Sequence, residues 1–375
     1  MNLLTYVHLR NIYRSTGVGR VARELTEQLS RIDSIHQEIL ADRADHARVV
    51  HKVGGPWEHF RYHLFNSDTS RQQARWFLTN RPTAEEYWPH VDLAYCTAES
   101  YVPVQRSKLV VSCHDAQLFE SGAHRMSVWL LKQRAKWWLL YQRLAREADA
   151  FHMISEFAAD RTAHFFPEIR DRLHVIPNAA SEAFFYPPSE AGMSILDRLE
   201  IRDKPYIFVP GGLHYRKNAD LILEAWPRIS SLHPDLRLVV ANHSDSLYLQ
   251  RAQALAPSLL LAGFQEEQPL VALYRSAQLV WFPTRYDGFG LPVIEAMACG
   301  APVVSSSTTG IPEVSGSAAL LLSPDRPWDH VEAIDALLRD RNELERYSAA
   351  GKRRAAVFRW KDSARKLADL FERVL

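Results

Sequence analysis

Two carboxylates, Asp287 and Glu295, stand with seven residues between them around a glycine turn, Asp287-Gly288-Phe289-Gly290-Leu291-Pro292. A carboxylate accepts hydrogen bonds from both hydroxyls of a vicinal diol, the group carried by ribose and most hexoses. Gly288 and Gly290 let the backbone turn tightly and approach a ligand with no Cβ in the way. Carboxylates on either side of such a turn suit a molecule with a sugar, a diphosphate and a ribose in line. Each also has a plainer reading, Asp287 as a turn cap and Glu295 as an acid favoured in the first turn of a helix. A second glycine turn, Gly211-Gly212, precedes two adjacent cations, Arg216 and Lys217, which match a diphosphate leaving group. On an ordinary surface turn such cations are merely solvated. His114 offers a hydrogen bond to a sugar hydroxyl or a departing phosphate, or else is a satisfied structural histidine. Gly17 and Gly19 form a Gly-x-Gly turn, a weak signal by itself because a tight turn needs no ligand.

Apolar runs of strand length position these groups. Leu279–Pro283 reads as a buried parallel strand, Pro292 as a first helical residue and Gly300 as the residue just past the helix end. Strand, glycine turn and short helix together leave helix N–H groups facing the turn, an arrangement that attracts phosphate. The same order recurs from Asn2–Leu9 through Gly17 and Gly19 to a helical pattern at Val21, Leu25 and Leu29. Lys108–Cys113 delivers His114 and Asp115, with Asp115 orienting the loop. Tyr206–Pro210 leads to Gly211. Leu236–Ala241 and Leu259–Ala262 extend that sheet, and Gly263-Phe264 ends the latter run. Ligands of doubly wound sheets bind at the carboxyl ends of the strands. The expected class is therefore α/β, with two Rossmann-like domains whose loops face one another across a cleft.

The run Asp-Gly-Phe-Gly-Leu-Pro-Val-Ile-Glu-Ala-Met-Ala-Cys-Gly-Ala-Pro-Val-Val from Asp287, followed by Gly310-Ile311-Pro312-Glu313-Val314, resembles the donor-binding signature of the retaining glycosyltransferases of family 4. The resemblance implies the GT-B fold and transfer of a hexose from a nucleoside diphosphate sugar to an acceptor hydroxyl with anomeric configuration retained. It further implies that Glu295 holds the donor ribose and that Asp287 and His114 position the sugar. Lys217 matches the family's phosphate lysine. Gly212 stands where the family often has Arg, so Arg216 is expected to take over that duty. Gly17 and Gly19 match the glycine loop facing the donor phosphates, and Gly263-Phe264 the turn against the nucleobase. The amides of Gly288, Phe289, Gly290 and Leu291 complete the diphosphate site. Asp287 departs from the family pattern, which begins with Glu and is one methylene longer. The neighbourhoods of Arg216 and His114 resemble bacterial mannosyltransferases of surface polysaccharides, so GDP-mannose is the first expected donor, with UDP- and dTDP-sugars as alternatives.

The 375 residues suggest two domains, taken as 1–180 and 181–358, with a last helix, 359–375, returning to the first. With 45 basic and 44 acidic residues the net charge is +1, so no global field favours nucleic acid. Three scattered cysteines imply neither a disulfide framework nor a zinc ribbon. No Asp-x-Asp occurs, which fits a metal-independent enzyme without a cofactor. The N-terminus lacks a secretory pattern and no apolar stretch reaches a membrane span, so the expected location is cytoplasmic. Ser127–Ala148 mixes Trp and basic residues, as a helix at the inner membrane face does, though a core-facing helix with a solvated basic side has the same pattern. Residues 51–103 read as irregular and aromatic, an acceptor platform or simply core packing. His59 and His63 have helical spacing but no third metal ligand nearby. The expected acceptor is a saccharide or a lipid-linked one. The rivals are a nucleotide-sugar epimerase, a non-catalytic sugar-binding subunit and a dehydrogenase. Ala22 in place of a third glycine keeps the last open.

Overall fold

The computed structural model describes residues 1–14 and 16–375; Ser15 lies outside the described residues. The chain divides into two compact units. One comprises residues 1–119, 127–178 and 359–375, the other 120–126 and 179–358. The unit boundaries fall at Asn178 and Phe358, and residues 120–126, expected in the first domain, group with the second unit. The polar stretch after Pro187 forms the helix Glu190–Arg198, capped by the Ser189 hydroxyl.

The first unit is built on seven parallel strands: β1 (Asn2–Tyr6), β2 (His36–Asp42), β3 (Tyr62–Phe65), β4 (Leu93–Cys96), β5 (Lys108–Cys113), β6 (Ala150–Met153) and β7 (Leu173–Val175), in the order β3-β2-β1-β4-β5-β6-β7. Its central strands are buried on both faces, as parallel strands between helices must be. β1 ends sooner than its apolar run suggests. The chain turns instead into a short helix, α1 (Leu9–Tyr13), before α2 (Gly17–Leu29). Residues 51–103, expected to be irregular, contain the end of α3 (Arg43–Val53), β3, the helix Thr69–Thr79 and β4. Their aromatics form the packing that hid those elements: Trp57 and Trp76 are fully buried, and Tyr6, Phe65 and Trp76 meet edge-on or tilted. His63 lies on β3, bonded to buried Glu38, and shares no helix with His59. The C-terminal helix Trp360–Val374 packs on α2, with Phe371 against Tyr95 and the Ser363 hydroxyl donating to the Pro177 carbonyl.

The second unit has six parallel strands, β8 (Tyr206–Val209), β9 (Arg237–Ala241), β10 (Leu259–Gly263), β11 (Leu279–Phe282), β12 (Val303–Ser306) and β13 (Leu320–Leu322), ordered β10-β9-β8-β11-β12-β13. From β8 the chain winds outward through β9 and β10, then returns to lay β11 on the other side of β8. The loops after β8 and β11 therefore flank the point where winding reverses, where an open α/β sheet leaves a crevice. The core beneath is apolar, with Ile207, Leu238 and Trp281 from the strands meeting Ile222 and Trp226 of the helix Ala219–Leu232.

Candidate active site

The loops after β8 and β11 are stitched together through backbone groups. The Arg216 carbonyl accepts from Arg285 N–H at 2.9 Å and from the Thr284 hydroxyl at 3.1 Å, while Arg216 Nη1 donates to the Tyr286 carbonyl at 3.1 Å. The loop after β12 adds a third tie, since Gly310 N–H donates to the Asp287 carbonyl at 3.1 Å. A Cβ at Gly310 would sit 2.4 Å from the Gly288 carbonyl oxygen, so the close approach requires glycine there.

Within this frame Lys217 Nζ lies 2.5 Å from Asp287 Oδ2, with Arg216 Nη1 3.8 Å from the same oxygen. The Lys217 and Asp287 side chains retain only 12% and 16% of their exposure. The Lys217 ammonium also lies over the Phe282 ring, 4.5 Å from its centroid. The other Asp287 oxygen accepts from the amides of Gly290 at 2.8 Å and Phe289 at 3.3 Å. Burial would raise the Asp287 carboxyl, but the Lys217 and Arg216 charges and the Lys217 and Gly290 hydrogen bonds outweigh it and hold the group below the usual carboxylate range. Sequence reasoning reserved the turn amides for a ligand and Asp287 for a sugar. The structure instead engages two of those amides, and both cations, with Asp287 itself. The shorter side chain explains this, because an aspartate reaches back to amides two and three residues on.

The helix Leu291–Cys299 starts from Gly290 at φ 93° and stops at Gly300 at φ 82°, both in the left-handed region. Glu295 is therefore a full turn into the helix rather than in its first turn. It is 2% exposed, and its Oε2 accepts from the Tyr274 hydroxyl at 2.9 Å. Tyr274, on the helix Glu267–Ser276, gave no sequence signal beyond an apolar run. Gly212 has φ 69°, and a Cβ there would lie 1.9 Å from the His243 carbonyl oxygen. Gly263 has φ 69° in open space. Phe264 beside it is 42% exposed and stacks on His243.

The first unit places its candidates differently. Gly17 and Gly19 are the first and third residues of α2, not a loop. The Thr16 hydroxyl accepts from Gly19 N–H at 3.0 Å, and a Cβ on Gly19 would sit 2.0 Å from the Asn11 carbonyl oxygen of α1. Helix packing alone thus accounts for Gly19. His114, past β5, is 8% exposed; its Nε2 faces the Thr97 carbonyl at 3.2 Å. Burial lowers its pKa against the opposing Thr97 bond and Asp115 charge, so the ring is neutral at pH 7 with its proton on Nε2. Nδ1 is left as an acceptor, and a hydroxyl would donate to it; the expected donation from His114 is corrected accordingly. Asp115 Oδ1 accepts from Gln117 N–H at 3.1 Å. Glu99, which sequence reasoning missed, accepts from His114 N–H at 2.6 Å, and burial pushes its carboxyl up to about 7. Isolated in a loop, it has no motif to find it by.

Two family models cover most of the chain, Glycosyltransferase Family 4 over residues 15–184 and Glycosyl transferases group 1 over residues 195–354. The chain is a glycosyltransferase whose first half matches family 4. Among its relatives, the serotype-specific mannosyltransferase WbdA of Escherichia coli is 29% identical over 238 residues, 61% of this chain. That match spans only 29% of WbdA's length. The O-antigen chain mannosyltransferase B of Escherichia coli is 25% identical over 374 residues, covering 93% of this chain and 94% of its own. Solved structures confirm the GT-B fold. HepE of Anabaena in complex with UDP and glucose has a TM-score of 0.72 at 17% identity, covering 98% of each chain. WaaG, a glycosyltransferase involved in lipopolysaccharide biosynthesis, has a TM-score of 0.72 at 13% identity over 99% of each.

Proposed function

We propose that this glycosyltransferase is a retaining, metal-independent hexosyltransferase that carries mannose or a related sugar from a nucleoside diphosphate to an acceptor hydroxyl in surface polysaccharide or glycoconjugate synthesis. The observation that carries the reading is the Arg216–Lys217–Asp287 cluster at the reversal point of the second sheet. Two cations there, one of them nearly buried, offer a diphosphate charge stabilisation where water is scarce. In this reading Asp287 keeps the cations and turn in place before the donor arrives, and the diphosphate then shares them. The departing phosphate deprotonates the acceptor on the same face of the sugar, so no separate base is needed. Glu295 anchors the donor ribose, His114 accepts from a sugar hydroxyl, and Phe264 lies at the nucleobase. GDP-mannose is the first donor to try, because WbdA and the O-antigen enzyme are both named mannosyltransferases.

The reading includes contact with an anionic membrane surface through the helix Val128–Glu147. Its Val128, Trp129, Leu131, Trp138 and Leu139 are exposed beside Lys132 and Lys136. Among the described residues no helix is long and apolar enough to cross a membrane.

The test is transfer assayed with GDP-, UDP- and dTDP-sugars in saturating chelator, with the anomer of the product read by NMR. A retained anomer under chelator supports the proposal. An inverted product, total loss in chelator, or epimerised donor without transfer overturns it.

A further inference from the structure

A cavity of about 590 Å³ opens in the first unit between α1 and α3, lined by Arg10, Tyr13 and Arg14 of the former and its end, and by Asp45, Arg48 and Lys52 of the latter. Asp45 and Val49 are its buried floor, and the cations form exposed walls. Arg10 alone is matched, its Nη2 3.0 Å from Asp45 Oδ1. Among the described residues Arg14, Arg48 and Lys52 make no ion pair, and the Lys52 ammonium rests over the Tyr13 ring at 5.5 Å. The spacing is unfavourable without a ligand. Arg10 and Arg14 are four residues apart, as are Arg48 and Lys52, so each pair repels along its own helix face. The two helices then pack against each other and concentrate the charge.

We propose that this cavity binds the phosphoryl group of a phosphate or diphosphate ester. Arg14 and Arg48 supply forked donors to the anion, Lys52 a point charge, and the exposed Tyr13 ring a face for whatever the phosphate carries. The volume falls within the range of small-ligand sites and exceeds a bare phosphate, so the phosphoryl group is one end of a larger molecule. All the lining residues belong to the first unit, so the site does not use the donor loops of the second. The proposal stands independently of the transferase reading.

Calorimetric titration with inorganic pyrophosphate tests it, on the full chain carrying Lys217→Ala to weaken anion binding by the second unit. The expected result is saturable binding that falls about tenfold in Arg48→Gln/Lys52→Gln, the loss of one or two charge-assisted bonds. The control Lys132→Gln/Lys136→Gln, on another helix, should leave pyrophosphate affinity unchanged. Thermal melts establish that each variant folds, and Arg14→Gln serves if the double variant does not. Absence of binding, an affinity indifferent to the cavity substitutions, or an equal loss in the control overturns the proposal. Sedimentation with vesicles of phosphatidylcholine alone or mixed with phosphatidylglycerol separates the sources. If the cavity variant also loses the anionic vesicles, the phosphate is lipid-borne; if only pyrophosphate binding falls, it is carried by a water-soluble ester.

Discussion

The loops of the second unit and those of the first solve different electrostatic problems. After β8 and β11, two cations and a carboxylate are held together with little water, and every turn around them is tied to its neighbour by backbone hydrogen bonds. At Gly19 and His114 of the first unit, by contrast, the groups expected at the donor are uncharged: a hydroxyl caps α2, and a neutral histidine bonds a carbonyl. A charged site must be assembled before its ligand arrives, because buried ions without partners are costly. A neutral polar site carries no such demand. The proposed division of labour follows, with the second unit holding charge and the first steering hydroxyls.

The largest effect that would break this contrast is chemical. Lys217→Ala is expected to lower turnover by about three orders of magnitude, as loss of a main electrostatic donor does, whereas His114→Asn should cost only about tenfold. Steady-state rates with the same donor compare the two; equal losses would erase the distinction between the units. Next in size is stability. Asp287→Ala strands Lys217 and Arg216 without their carboxylate and should cost about 3 kcal/mol in denaturant unfolding. A change under roughly 0.5 kcal/mol, the level of an ordinary surface substitution, would mean the cluster is solvated rather than assembled.

Two glycines of the second unit share φ 69° and sharpen the point about ties. Gly212→Ala forces a Cβ onto the His243 carbonyl and should destabilise by about 3 kcal/mol, whereas Gly263→Ala meets nothing and should cost about 1 kcal/mol from the backbone alone. Thermal or denaturant unfolding measures both. The pH-dependent effect concerns the first unit. Glu99 is raised in the folded state to about 7 from an ordinary 4.5. Between those values the folded chain binds more protons than the unfolded one, so stability should fall as pH rises through that window and level off above it. Glu99→Gln should flatten the slope in unfolding experiments at successive pH values.

Much of the second unit was legible because its motif is local. One run of sequence, from Leu279 to Gly300, encodes a strand, two left-handed glycines and a helix, and the structure follows it closely. Unreadable from that run was where Asp287 points, since its partners Arg216 and Lys217 lie seventy residues earlier and arrive only when β8 and β11 pair. Glu295 illustrates the same limit, because its burial depends on Tyr274 of a separate helix. In the first unit, β2, β3 and β4 were missed. Charged and aromatic residues such as Glu38, His63 and Tyr95 interrupt their apolar pattern, and the partners that satisfy them are distant in the chain. Gly17 and Gly19 read as a loop because nothing in sequence announces α1, whose Asn11 carbonyl leaves no room for a side chain at Gly19.

The central claim, that Arg216 and Lys217 hold the donor through its diphosphate, is tested most directly by comparing a nucleoside with its diphosphate. Calorimetry on the wild-type chain should show the diphosphate binding far more tightly than the nucleoside, and in Lys217→Ala that difference should collapse while nucleoside affinity stays the same. An undiminished difference in the variant would contradict the account.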